Sequence, residues 1–142
     1  MTRWERALLL ILGAMLLLPA TFSVAFTPMT ILSLNEARDP FGVFAGMLFW
    51  VSLGYIIALG GVRLLYTSKH GSWSVPFPRW LQLLTGLALL LPVVAAAFAL
   101  AGRGANDEGT IGLVVVAPIF IILGVYNLWL ARQPRSDTSA GA

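Results

Sequence analysis

The sequence predicts an all-α membrane protein, a four-transmembrane-helix bundle whose spans run up-down-up-down. Of its 142 residues 58% are apolar and only 11% are charged, whereas soluble domains carry about 25% charged residues. Four blocks of 20 or 21 residues contain no acid, lysine, arginine or histidine: 7–26, 43–62, 81–101 and 111–130. A helix of that length crosses a hydrocarbon layer of about 30 Å. Helices are required because lipid offers the backbone no hydrogen-bond partner.

The first span, residues 7–26, has a second interpretation. Its charged start, apolar run and Ser23-Val24-Ala25 also resemble a secretory signal peptide cleaved after Ala25. The apolar run continues to Phe26, so we expect the segment to remain as an anchor. N-terminal sequencing decides between the two, because a mature chain that starts at Phe26 would leave three spans.

The second span covers about residues 41–65 and begins at Asp39-Pro40. This pair is typical of a helix start, with a capping carboxylate followed by a proline whose missing N–H costs nothing there. The preceding connection, residues 27–40, is predicted to be an outer loop. The inner loop, residues 66–80, contains Pro76 and Pro78, which exclude a regular helix and favour a basic and aromatic strap against anionic headgroups.

The third and fourth spans, residues 81–101 and 111–130, are joined by a short glycine-rich loop. Asp107 and Glu108 lie at the start of the fourth span, where the helix dipole favours negative charge. Residues 1–132 therefore form one transmembrane domain, and the polar tail 133–142 is predicted to be disordered. Kinks are expected within the spans at Pro19, Pro92 and Pro118.

Charge predicts the orientation, because lysine and arginine concentrate in cytoplasmic loops. The net charge is +3, and it divides into about +5 on the side of the termini and about −2 on the other side. Four of the five tryptophans flank the same basic side: Trp4, Trp73, Trp80 and Trp129. The protein is thus predicted to lie in the cell membrane with both termini cytoplasmic. The basic pI needs no nucleic-acid partner.

A weak internal repeat suggests a duplicated helical hairpin. Gly13 and Pro19 of span one match Gly86 and Pro92 of span three at an offset of 73 residues. The Arg-Trp pairs at 3–4 and 79–80 fit with a slip of three residues. Spans two and four align at an offset of 70, which pairs Gly42 with Gly112 and Gly54 with Gly124. Both copies would enter from the cytoplasm, as parallel repeats do.

No ionisable residue lies within the uncharged blocks. Arg63 is close enough to the inner end of its span for its side chain to reach the headgroups. Functional membrane sites usually carry a charge at mid-depth, so the sequence argues against an ion-coupled pump or a channel with charged rings. No catalytic constellation is present either, and the prediction is that the protein is not an enzyme.

Two sets of residues are candidates for helix contacts. Small residues fall on one i, i+4 row of span two, interrupted by Trp50, and allow close approach to another helix or another subunit: Gly42, Gly46, Gly54 and Ala58. Polar side chains within the spans could form interhelical hydrogen bonds: Ser52, Tyr55, Tyr126 and Asn127. A ligand pocket lined by Trp50, Tyr55 and Tyr126 is the alternative use of these residues.

Metal and cofactor chemistry find little support in the sequence. Cysteine is absent and His70 is the single histidine; an exposed loop residue is its expected role. The acids of the outer loops have no fixed spacing, which is weak evidence for a cation site. No cofactor is predicted.

Two function classes remain. The first is a structural or accessory membrane subunit that packs through its glycine and alanine faces against a second copy or a larger membrane protein. The second is a small transporter of apolar or weakly polar molecules, built from the repeated hairpin. The lack of charge at mid-depth favours the first.

Overall fold

The computed structural model describes residues 1–36, with the side chain of Glu36 excepted, and residues 39–134. This part of the chain contains four helices: α1 Arg3–Glu36, α2 Pro40–His70, α3 Arg79–Arg103 and α4 Glu108–Arg132. All four are long and apolar enough to cross a membrane. The prediction of an all-helical chain with four candidate spans is therefore confirmed. The tail from residue 135, predicted to be disordered, lies outside the described residues.

Helix α1 is longer than predicted. It continues through Pro19 and Pro28 to Glu36, so most of the expected outer loop 27–40 is helical and that prediction was wrong. Hydroxyl groups around Pro28 donate to carbonyls of their own helix, from Thr27 to Ser23 at 2.6 Å and from Thr30 to Phe26 at 2.9 Å. Such bonds occupy the polar groups that made the segment look like a loop.

Helix α2 also extends beyond its predicted end. It ends only at Gly71, whose left-handed backbone (φ 68°) places its N–H 2.9 Å from the carbonyl oxygen of Thr67. Glycine adopts this conformation without the steric cost of a Cβ. The expected inner loop therefore shrinks to residues 71–78, which are non-helical in agreement with the two prolines.

The predicted helix starts are confirmed. Asp39 Oδ1 accepts the backbone N–H of Gly42 at 3.1 Å, with Pro40 at the first helical position. Asp107 Oδ2 accepts the backbone N–H of Thr110 at 3.0 Å. Each acid satisfies a donor that the first helical turn would otherwise leave unpaired.

The four helices form an open row rather than a closed bundle. Backbones approach within 8 Å between α1 and α2, α2 and α3, and α3 and α4. Within the described residues no such contact joins α1 to α3 or α4, or α2 to α4. Burial agrees with this arrangement. In the most apolar 18-residue stretch of each helix, 33% of α2 and 44% of α3 is buried, against 11% of α1 and of α4. The prediction of a closed four-helix bundle was therefore wrong in this respect, because α1 and α4 do not pack against each other within the described residues.

The two ends of the helices are named here after Asp39 and Gly71, the residues that flank α2. At the Asp39 end, Asp39 and Gly42 meet Arg103, which closes α3. At the Gly71 end, Arg6 lies beside Gly71, and Arg79 donates to the carbonyl of Gln133 at 3.4 Å. In each neighbouring pair, the start of one helix therefore lies beside the end of the other.

Each hairpin crosses at a pair of glycines in the half nearer the Gly71 end. A Cβ added to Gly61 would lie 2.6 Å from the carbonyl oxygen of Gly13, and one added to Gly86 would lie 3.0 Å from that of Gly124. At Gly61 a Cβ would therefore force the backbones apart, and small residues of this kind are what allow two helices to approach so closely. The crossing points keep the expected offset of 73 between α1 and α3 but give 63 between α2 and α4. By this contact Gly61, rather than the Gly54 of the predicted alignment, occupies the place that Gly124 has in the second hairpin.

Candidate functional site

The predicted row of small residues does not present a single face. Successive i, i+4 positions turn by about 40° around a helix, so Gly42 and Ala58 point about 160° apart. Gly42 lies against Asp39 and Arg103, while Gly54 lies against Ser23 and the carbonyl oxygen of Pro19. Ala58 is buried. Around Gly46 there is open space, with no atom within 4 Å of an added Cβ.

Two of the polar candidates do form interhelical hydrogen bonds. The Tyr55 hydroxyl lies 2.8 Å from the hydroxyl of Thr27 and so joins α2 to α1. Asn127 Oδ1 accepts from Arg63 Nη2 at 2.5 Å and joins α4 to α2. The amide nitrogen of Asn127 donates to the carbonyl of Leu123 at 2.8 Å, within its own helix.

The other two polar candidates make local contacts. Ser52 is fully buried and its hydroxyl donates to the carbonyl of Phe49 at 2.7 Å. Tyr126 is 54% exposed on α4, and its ring stacks on Trp129 with 6.1 Å between centroids. Trp50, Tyr55 and Tyr126 therefore do not come together. Neither of the two grooves described below is lined by all three residues.

Arg63 is the feature that sequence reasoning misplaced. Its side chain was expected to reach the headgroups, but α2 continues for seven residues beyond it to His70. The guanidinium instead turns across to Asn127 and lies 4.8 Å from the centre of the Phe77 ring. Its Nε is buried with no hydrogen-bond partner in the described part of the chain. This long side chain bridges two helices whose backbones do not touch.

His70 belongs to the end of α2 and not to a loop. Its Nδ1 lies 2.9 Å from the carbonyl oxygen of Tyr66, and the two rings are 4.1 Å apart. The side chain is exposed, as predicted. Among residues 1–36 and 39–134, no three of the metal-ligating types His, Cys, Asp or Glu are grouped as a cation would require.

The acids at the Asp39 end have structural partners. Asp39 accepts from Arg103 Nε at 3.0 Å as well as capping α2. The Arg103 hydrogen bond and the backbone N–H of Gly42 together hold the pKa of Asp39 below its usual value. Asp107 accepts the backbone N–H and the hydroxyl of Thr110. Both carboxylates thereby stabilise the starts of their helices.

Two grooves open in the half of the molecule nearer the Asp39 end. The α1–α2 groove has a volume of about 590 Å³ and is lined by apolar side chains such as Phe22, Phe26 and Met47. The α2–α4 groove has a volume of about 330 Å³ and is lined by Phe49, Leu113 and Val116 among others. Both fall in the range of about 300–1,000 Å³ that small-molecule pockets occupy. They share four residues, Gly42, Gly46, Trp50 and Arg103.

Comparison with known proteins adds no assignment. The chain matches no protein-family model, no curated protein and no solved structure.

Proposed function

We propose that the protein is a multi-pass protein of the cell membrane, threaded up-down-up-down with both termini in the cytoplasm. Four apolar helices with antiparallel contact order support the threading. The Gly71 end carries most of the lysine and arginine, which favours its placement on the cytoplasmic side. Trp4, Trp73, Trp80 and Trp129 are strongly exposed, as expected for rings at headgroup depth.

Single cysteines test this orientation against a cysteine-free background. A membrane-impermeant maleimide should label Asp107→Cys in intact cells but Lys69→Cys only after permeabilisation. Labelling of both positions in intact cells, or of Lys69→Cys alone, would contradict it. Extraction of the chain by a salt wash without detergent would contradict membrane insertion itself.

Within that membrane the chain acts as a structural or accessory subunit that associates laterally through its outer helices. The open row carries this proposal, because α1 and α4 each have a neighbour on one side only. Large apolar side chains cover their remaining surfaces, for example Met15 on α1 and Ile122 on α4. In lipid such surfaces associate by packing with a second copy or a larger partner. No catalytic role is proposed.

Crosslinking from the outward surfaces tests the association. We expect Ile122→Cys or Met15→Cys to crosslink in membranes to a second copy or to a distinct protein, whereas the buried Ala95→Cys should not. Native mass spectrometry after gentle detergent extraction then gives the identity and stoichiometry of the partner. A monomer without a partner, together with no crosslink from any outward position of α1 or α4, would contradict an accessory role.

The grooves favour a second candidate, a small carrier of apolar or weakly polar molecules. Their apolar walls offer binding area, and the glycine crossings give two similar hairpins as in transporters with parallel repeats. This role requires a path that reaches both sides of the membrane. Single cysteines placed along α2 in the Gly71-end half should then react with a water-soluble maleimide, or be protected from it by bound ligand, as those in the Asp39-end half are. Protection confined to the Asp39-end half would exclude transport.

A further inference from the structure

We propose that the two grooves together bind one zwitterionic diacyl phospholipid from the leaflet at the Asp39 end. The proposal rests on the membrane insertion argued above but is independent of any lateral partner. It follows from three features: the depth of the grooves, their common origin, and the charges at that origin.

Depth matches one leaflet. The shared residues extend along α2 from Gly42 to Trp50. Trp50 lies ten residues into a helix that starts at Pro40, or about 15 Å at the rise of an α-helix. That distance is half of a hydrocarbon layer of about 30 Å. With Pro40 taken at headgroup level, the grooves are about as deep as the acyl chains of one leaflet.

The common origin matches two chains on one headgroup. Both grooves include Gly42 and Arg103, and they diverge on either side of Trp50, which is 72% exposed between them. Gly46 leaves the floor open where they meet. A ligand with a single tail would use one groove, whereas a diacyl lipid has one polar group and two apolar chains to place. The unequal volumes, about 590 and 330 Å³, leave room for one chain on each side.

Charges at the origin match a zwitterion. Arg103 gives its Nε to Asp39, and within the described part of the chain its two terminal nitrogens make no hydrogen bond. Guanidinium groups bind phosphate by paired donors. Asp107 lines the α2–α4 groove, and Glu108 follows it as an exposed side chain. Among the described side chains at this end, three acids stand with one arginine, which disfavours a net-negative headgroup but suits a phosphate on Arg103 with an ammonium towards the acids.

Gly46→Leu, compared with Gly60→Leu, isolates the grooves. Both glycines lie on α2 with no atom within 4 Å of an added Cβ, so both variants should fold. Only the leucine at 46 fills the shared floor. The protein is purified in a mild detergent, incubated with equal amounts of phosphatidylethanolamine and phosphatidylglycerol, and examined by native mass spectrometry. We expect one phosphatidylethanolamine on the wild type and on Gly60→Leu, and about tenfold weaker retention on Gly46→Leu.

Arg103→Gln and Asp39→Asn test the headgroup assignment. Both variants remove the ion pair, but only the first removes the proposed phosphate ligand, and asparagine preserves the helix cap. Retention should fall about tenfold in Arg103→Gln and persist in Asp39→Asn. Equal loss in both variants, preference for phosphatidylglycerol, or unchanged binding to Gly46→Leu would overturn the proposal. A chain that needs no detergent for extraction would instead overturn its membrane insertion, so the two failures are distinguishable.

Discussion

The two hairpins cross at glycines near the Gly71 end, whereas near the Asp39 end glycine serves both a close contact, Gly102 against Gly42, and an open groove floor at Gly46. Near the Gly71 end, Gly13 meets Gly61 and Gly86 meets Gly124 with backbone against backbone. Near the Asp39 end, Gly46 faces open space beside two grooves. A glycine in a transmembrane helix thus indicates that space is needed, but its neighbours decide whether another helix or a lipid takes that space.

Polar contacts follow the same division. Near the Gly71 end, Arg63 and Asn127 join helices in the interior of the row. At the Asp39 end the ion pair between Asp39 and Arg103 is on the surface, with both side chains more than 40% exposed. The first half is therefore built for fixed packing, and the second half is the accessible one. The predictions below test that contrast, in order of expected effect.

The largest effect is expected from Gly61→Leu. Its Cβ would lie 2.6 Å from the carbonyl oxygen of Gly13, so the α1–α2 crossing must separate. Overpacking against side chains costs about 1–3 kcal/mol, and a backbone atom has less freedom to move away. We expect the free energy of unfolding to fall by about 3 kcal/mol or more, measured by thermal unfolding in detergent with tryptophan fluorescence. Gly60→Leu, at the adjacent open position, should unfold like the wild type; equal loss in both variants would mean that the contact with Gly13 is not what Gly61→Leu disrupts.

The next effect concerns Asn127. In Asn127→Leu the half-buried guanidinium of Arg63 loses the partner of its Nη2, and an unpaired buried donor costs about 1–3 kcal/mol. The double variant with Arg63→Met removes donor and acceptor together and should recover most of the stability. The same unfolding measurement on the two single variants and the double variant gives the coupling. Additive losses would mean that the contact does not hold α4 to α2.

A smaller effect is expected from Tyr55→Phe. The variant keeps the ring and removes the hydroxyl 2.8 Å from that of Thr27. Interhelical hydrogen bonds in membranes average about 0.6 kcal/mol, and Thr27 retains its bond to the carbonyl of Ser23. Thermal unfolding should show a loss of that size and no change in the lipid retained by the grooves. A change in lipid binding would place Tyr55 in the accessible half instead.

How much of this the sequence could predict depends on the range of each interaction. Four apolar blocks and the caps at Asp39 and Asp107 were predictable, because the length of an apolar run and a cap next to a proline or an acid are local properties. The helix through Pro28 was not, since it depends on where three hydroxyl groups point. The second span was predicted to end at about residue 65, and the structure extends it to His70, five residues further.

Packing was the least predictable level. Gly61 and Gly54 are equally plausible counterparts of Gly124 in the sequence, because both are glycines and lie two helical turns apart, and only the contact with Gly13 distinguishes Gly61. Arg63 and Asn127 are 64 residues apart in the chain, and they pair across two helices whose backbones do not come within 8 Å of each other. One signal was present in the sequence: Arg63 and Asn127 are both polar residues near the same predicted end of a span. A charge close to a span terminus should therefore be considered with every amide at matching depth.

The smallest effect is that of acid on the Asp39 end. Because Arg103 and the Gly42 N–H lower the pKa of Asp39, this carboxylate contributes stability above the ordinary aspartate pKa of about 3.9. That contribution is lost as the pH falls through the lower pKa of the folded state. The fall in melting temperature between pH 6 and pH 3 should thus be slightly larger for the wild type than for Asp39→Asn. Subtracting one from the other removes the contribution of the carboxyl groups that both proteins share. Since the pair is exposed, added salt should shrink the gap; a gap that salt leaves unchanged would mean that Asp39 is shielded and that the Asp39 end is not the open half.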